Sequence, residues 1–200
     1  MAAQPTPTGA DVEAARVLGA DAVEPQLAYP LWDRDPLRST AARLLAADVA
    51  ALAPVAGFGA AARRAPLALP RGFGAGAGRV VGPVAVCGVC VEAKQHAKFL
   101  SVEIDDGTGC VPVVVFEPDP SAGMGAAQEY GRALKAAKLG ATLRCSGRPS
   151  AWRGRVQIIT DALCDVTAQG AAVETLWWVD CLRLRRDVYE RSAAECMPPR

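Results

Sequence analysis

Three sets of residues have the types and spacing from which chemistry is built. The first is cysteine. Cys87-Gly-Val-Cys90 has the spacing of half a zinc site, but zinc takes four ligands, and the chain offers one histidine, His96, and no second Cys-x-x-Cys. The seven cysteines (Cys87, Cys90, Cys110, Cys145, Cys164, Cys181 and Cys196) are an odd number, set mostly in apolar, strand-like runs, and read as reduced thiols of an intracellular protein. Strand alternation within Val84 to Val91 sends Cys87 and Cys90 to opposite faces, so both are expected to be small packing residues. No metal and no cofactor is expected.

The second set is acid, imidazole and glycine. Adjacent carboxylates such as Asp105 and Asp106, in an Asp-Asp-Gly-Thr-Gly turn, ordinarily cap backbone N–H groups, and no further acid stands by to hold magnesium. His96 lies in a Lys-Gln-His-Ala-Lys turn with no Ser or Cys nucleophile motif around it. Gly72 to Gly78 has no strand before it and no Gly-Lys-Ser/Thr after it, so it is not a phosphate loop. No enzyme is expected.

The third set is basic and aromatic. From Gly131 to Thr160 the chain carries Arg132, Lys135, Lys138, Arg144, Arg148, Arg153 and Arg155 with no acid, whereas Ser101 to Glu129 carries acids and no base. Trp152, between Arg148 and Arg153, offers a ring on which a nucleobase can stack, worth roughly 1–3 kcal/mol per base without sequence readout.

These residues need elements to position them. The chain has 200 residues, 51% apolar and 22% charged, a formal net charge of +1 and a mean hydropathy of +0.14. That is the composition of one globular domain with extras. No uncharged apolar run reaches the roughly 18 residues of a membrane span, and Met1 to Ala10 lacks the features of a secretory signal. Residues 1–28 read as a disordered tail and 192–200 as a second tail. Asp35 followed by Pro36 suits a helix start, and Leu37, Leu44, Leu45, Val49 and Leu52 recur at helical spacing, which predicts an amphipathic helix over 36–52. Residues 53–79, rich in Gly, Ala and Pro and containing Arg63, Arg64, Arg71 and Arg79, read as a basic loop.

From 80 to 166 the texture is that of a small barrel. Strands are expected over 80–92, 98–105 and 110–116, followed by a helix over 126–138 and strands over 139–147 and 155–166, the fourth and fifth joined by a loop at 148–154. Gly88 marks a bulge or close approach, and Pro112 an edge or a bulge. A C-terminal helix is expected over 173–191. The order strand, strand, strand, helix, strand, strand is that of a five-stranded OB-fold Greek-key barrel, mainly β with flanking helices, which binds oligonucleotides on its strand 2–3 face and adjoining loops.

On that fold the basic stretch covers the fourth strand and the hairpin to the fifth. The expected groove comprises Arg144, Arg148, Trp152, Arg153 and Arg155, with Phe99 as a second stacking ring and Lys94 and Lys98 at the opposite wall. The C-terminal helix carries more apolar surface than a small barrel needs, which marks Trp177, Trp178, Leu182 and Val188 as partner-binding residues; one of the tandem tryptophans must then face the barrel.

An ordered set of segments also resembles a known family. Leu31-Trp-Asp-Arg-Asp-Pro-Leu37 precedes Val84-Ala-Val-Cys-Gly-Val-Cys-Val91, then Ser101-Val-Glu-Ile-Asp-Asp-Gly-Thr-Gly109, Leu143-Arg-Cys-Ser-Gly147 and a late helix ending Asp187-Val-Tyr189. The set resembles the Stn-type OB-fold subunit of the CST telomere-capping complex, in the short form found in plants, and more distantly the middle subunit of replication protein A. The resemblance implies a non-catalytic nuclear protein of the chromosome's telomere. Such a subunit binds single-stranded, G-rich DNA with a small Ten-type OB subunit and a large OB-array subunit, and assists fill-in synthesis by polymerase α–primase. The chain ends at Arg200 without the winged-helix region of longer animal relatives, which leaves open any polymerase role resting on that region. Two other readings stay open: a single-stranded DNA binder like the replication protein A subunit, and an OB scaffold that contacts only proteins.

Overall fold

The alternation of Leu100, Val102 and Ile104 against Phe99, Ser101 and Glu103 decides which side of the sheet is dry. In the computed structural model, which describes residues 22–28, 31–57 and 65–197, the first set is buried and the second is not. Strand β1 (Val84–Gln95) pairs antiparallel with β2 (Phe99–Asp105), which pairs antiparallel with β3 (Cys110–Phe116). Helix α1 (Gly123–Ala136) leads to β4 (Thr142–Trp152), β5 (Arg155–Thr160) and the short β6 (Leu163–Asp165). The sheet runs β1-β2-β3-β5-β4 with β3 parallel to β5, and β1 pairs with β4 to close the barrel. That is the OB-fold order.

The interior is filled from every strand, by Val86, Val102, Ile104, Val113, Leu143 and Ile158, and α1 plugs one end with Ala133 and Ala136. Each fully buried Val, Leu or Ile stabilises the fold by roughly 1.5–3 kcal/mol relative to exposure. Cys87 and Cys90 fall into different clusters, Cys90 inside the barrel and Cys87 beneath the C-terminal helix, as their alternation requires. Gly88 is a close approach: a Cβ there would stand 2.3 Å from the Asp105 carbonyl oxygen. The bulge itself comes later, at Val91, where the β1–β2 register shifts between Cys90 and Glu92. Pro112 lies one residue before β3 meets β5 at Val113, so its missing N–H falls where the strand has β2 as its sole neighbour.

Several boundaries depart from the sequence expectation. The helix over 36–52 is two short ones, Pro36–Ser39 and Ala46–Ala50, split by the strand Ala42–Arg43, which pairs in parallel with Val84 and Ala85 of β1. Leu37, Leu44, Leu45, Val49 and Leu52 are all buried, and a segment covered on every side imitates helical spacing. The loop at 148–154 is instead the end of β4 and a two-residue hairpin turn at Arg153-Gly154, and the fifth strand breaks at Asp161 before β6. The C-terminal helix is α2 (Ala172–Leu184), continued by a π-helical turn over Arg185–Tyr189.

The expected tails are partly structured. Val23 bridges to Val55 and is buried, and Ser192 and Glu195 form a capping box on the turn Ala193–Cys196. Residues 1–21 of the expected N-terminal tail, and Arg63 and Arg64 of the expected loop, lie outside the described residues.

Two polar nodes tie the additions to the barrel. Asp35, after capping Leu37 N–H, accepts two hydrogen bonds from Arg79, from Nε at 2.8 Å and Nη2 at 2.7 Å; both side chains are essentially inaccessible. Arg79 Nη1 donates to the carbonyls of Val188 (2.6 Å) and Arg191 (3.1 Å), and so supplies a charged donor where the C-terminal helix ends. Arg79 is therefore a buried clamp rather than a cation of a solvated loop.

Asp106 is the second node. Its Oδ1 accepts from Thr108 N–H, and its Oδ2 accepts from Ala46 N–H at 2.7 Å, while Thr108 Oγ1 accepts from Ala47 N–H at 3.0 Å. The β2–β3 turn thus caps the helix Ala46–Ala50, whose own N-cap residue, Leu45, has no side-chain oxygen to offer.

Candidate nucleic-acid interface

Residues paired in register share a face of the sheet. Lys94, Ser101, Val114, Ile159 and Arg148 are linked in that way across β1, β2, β3, β5 and β4, and they form one row over the barrel's outer surface. One row along, Phe99 stands opposite Phe116 with ring centroids 6.0 Å apart. Trp152, 46% exposed, rises from the end of β4 on the far side. Between these rings lies a groove of about 420 Å³ with Val114 and Ile159 in its floor and Arg148 on its wall. Three aromatic surfaces and one cation around an open, apolar floor suit a flat heteroaromatic base joined to an anionic backbone.

The hairpin that carries Trp152 is short by construction. Arg153 and Gly154 both adopt positive φ, +47° and +79°, the requirement of a two-residue turn matched to strand twist. Arg153 accepts that conformation without being glycine, a cost of about 1 kcal/mol. Its guanidinium stands 5.7 Å from the Trp152 ring.

The structure sorts the expected groove residues. Phe99, Arg148 and Trp152 line the groove together, and Arg153 borders it. Lys98 is exposed at the β1–β2 turn, where its carbonyl accepts from Glu117 N–H. Lys94 is on the outer row but pairs with Glu92, and this partner holds its ammonium above the ordinary lysine range. Arg155 pairs with Glu103 at 2.9 Å. Both charges are spent locally. Arg144 does not belong to the groove: it lies on another flank of β4, lining a depression with Cys164 and Trp177. Arg144 and Arg148 share the outer face of β4, but Arg144 is in register with Cys87 of β1 and Cys164 of β6, whereas Arg148 is in register with Ile159 in the groove floor.

Two groove residues were not legible in advance. Phe116 ends an apolar run and shows its outward direction only through its register with Phe99. His96 stacks on Phe99 with centroids 4.3 Å apart, extending the aromatic wall, and nothing in its turn sequence signals that contact.

The expected partner face also needs correction. Trp177 is 6% exposed, packed against Cys87, Val166 and Cys181, with the Arg43 guanidinium 5.6 Å from its ring. Trp178 donates from Nε1 to the Asp106 carbonyl at 2.9 Å and is half-buried. Val188 packs against the main core. Of the four residues, Leu182 alone is open, at 52%, and Leu176, at 62%, joins it. The open apolar side chains of α2 are thus Leu176 and Leu182, and the tryptophans fasten the helix to the barrel. Burial pushes the thiols beneath it up, Cys87 to about 11 and Cys181 to about 12, so they remain protonated. Among the described residues no group of three His, Cys, Asp or Glu side chains is placed to hold a metal, and no helix is long and apolar enough to cross a membrane.

Comparison with known proteins bears on this geometry. A family profile described as an OB-fold nucleic acid binding domain matches residues 84–163, from the first residue of β1 to the first of β6. CST complex subunit STN1 of Arabidopsis thaliana is 30% identical over 122 residues, which span 56% of this chain and 75% of that protein. The crystal structure of an S. pombe Stn1–Ten1 complex contains a similar chain, with TM-score 0.57 and 13% identity, covering 74% of this chain and 93% of that one. A chain of a replication protein A heterotrimer bound to single-stranded DNA is similar with TM-score 0.54 and 13% identity, covering 74% and 98%. The two structural matches establish the OB architecture, and the sequence match, which takes in three-quarters of the plant protein, places this chain in the STN1 family.

Proposed function

We propose that this protein is a non-catalytic, single-stranded DNA-binding subunit of a CST-type telomere complex, acting in the nucleus in chromosome-end protection and in C-strand fill-in with polymerase α–primase. The observation that carries the DNA-binding part is the groove in which Phe99, Phe116 and Trp152 surround an apolar floor beside Arg148. Stacking supplies affinity for any base, and Arg148 and Arg153 supply attraction for the phosphates. The open Leu176–Leu182 side of α2 is the surface proposed for a small Ten-type OB subunit, leaving the groove on the barrel's other face free. A large OB-array subunit would complete the assembly.

Fluorescence anisotropy with a G-rich single strand, at two salt concentrations and with and without the small OB subunit, tests this reading. Binding that tightens with the partner and weakens with salt is the expected result. A stable heterodimer with no DNA binding in either state would leave the barrel as a protein scaffold.

A further inference from the structure

The aromatic groove does not end at Arg148. Arg148 and Ile159 also line a second depression, of about 550 Å³, on the far side of that arginine. Its floor is small side chains and backbone, Gly82, Pro83, Ser146 and Gly147, and it is within the roughly 300–1,000 Å³ of small-ligand sites. A Cβ at Gly147 would fall 2.3 Å from the Ile159 carbonyl oxygen and 2.9 Å from Ile158 Cγ2, so glycine is what lets β4 and β5 approach closely beneath this floor.

The charges on its rim balance, Arg38 and Arg148 against Asp33 and Asp161. Arg38 faces Asp33 at 3.7 Å, which balances its charge, and the other acid is Asp161, at the break between β5 and β6. Asp161 enters no ion pair among the described residues. With Asp33 offset by Arg38, Asp161 is the rim carboxylate left without a paired cation, and a base edge made of donors would be drawn to it. Guanine presents N1–H and the N2 amino group side by side, a fork that one carboxylate can accept in two parallel bonds. Adenine and cytosine place an amino donor next to a ring nitrogen acceptor, which a carboxylate repels, and thymine offers one donor between two carbonyls.

We infer that this second depression holds the nucleotide next to the one stacked among Phe99, Phe116 and Trp152, and that Asp161 selects guanine there, with Arg148 bound to the phosphate between the two. The inference rests on the proposed DNA-binding reading and adds a specificity to it.

The test uses the full chain at low salt and a short oligo-dT in which a single dG is moved along the strand, with dI and dA at the same places. Inosine keeps N1–H and lacks the N2 amino group, so it isolates one of the two bonds. The expected result is a position at which dG tightens binding by about tenfold over dT, dI recovers part of that gain and dA recovers none. Asp161→Ala, a change at an exposed turn, removes the preference and leaves oligo-dT affinity equal or higher. Oligo-dT binding with no dG preference, or a preference that survives in Asp161→Ala, overturns the inference while sparing the DNA-binding reading. Failure of the wild-type chain to bind every oligonucleotide overturns both.

Discussion

The Asp35–Arg79 clamp and the aromatic groove are built on opposite terms. The clamp is a buried, doubly hydrogen-bonded ion pair whose arginine also satisfies two backbone carbonyls, and each atom has one place to be. The groove is a set of rings at 4–6 Å spacings around an open floor, with Arg148 on its wall and Arg153 over the Trp152 ring. A buried charge without its partner is expensive, so the clamp tolerates almost no change. A stacking surface asks for a flat ring, and several residues supply one. Two of the segments by which the chain resembles its family carry the structural nodes, Leu31–Leu37 through Asp35 and the Asp105–Gly109 turn through Asp106.

This contrast yields separable effects. Asp35→Ala, which strands the Arg79 guanidinium in the interior, should lower stability by about 3–5 kcal/mol in urea denaturation, while the folded fraction keeps its DNA affinity. An equal loss of affinity per folded molecule would merge the two regions. Alkaline pH should act on the buried side in the same sense. The thiols of Cys87, Cys145 and Cys181 are pushed by burial from their usual 9.0 to about 11, about 12 and about 12. Their contribution is fully present below the unfolded value and is lost as pH rises toward the folded one. At about pH 10 each should cost about 1 kcal/mol, a fall in melting temperature that replacing Cys145 by Ser or Ala would reduce.

On the groove side, Trp152→Ala should weaken single-stranded DNA binding by roughly 1–3 kcal/mol in an anisotropy titration, with little change in the urea midpoint. Smallest is the effect of single cations. Arg148→Ala should reduce the slope of log affinity against log salt by about 0.7, the value for one phosphate on a single strand. Lys94→Ala, whose charge is already spent on Glu92, should leave that slope unchanged, and an equal effect of the two would mean that the Glu92 pairing does not persist in solution.

The barrel was readable from the chain because its signals are local. Strict alternation in β2, turn glycines after Asp105 and Asp106, and a glycine stop after α1 each act within a few residues. What was not readable depends on partners distant in sequence. Ala42–Arg43 becomes a strand because Val84 and Ala85 are beside it, and Arg79 becomes a clamp because Asp35 and the end of the C-terminal helix converge on it. The groove was half legible. Alternation predicts that Phe99 faces outward, but Phe116 beside it and the pairing of Glu103 with Arg155 depend on how distant strands are brought together, which no single segment encodes.

The two-residue strand Ala42–Arg43 has one more effect. It occupies the backbone of β1 that β2 does not reach, β4 takes the opposite side, and the sheet terminates in this strand at one end and three-residue β6 at the other. Neither rim is long enough to template a guest strand. Strand addition is thereby disfavoured at these two ends of the sheet, where side chains on helices and turns remain the features a neighbour could read, and specificity is easier to encode in them than in a bare ladder of amides.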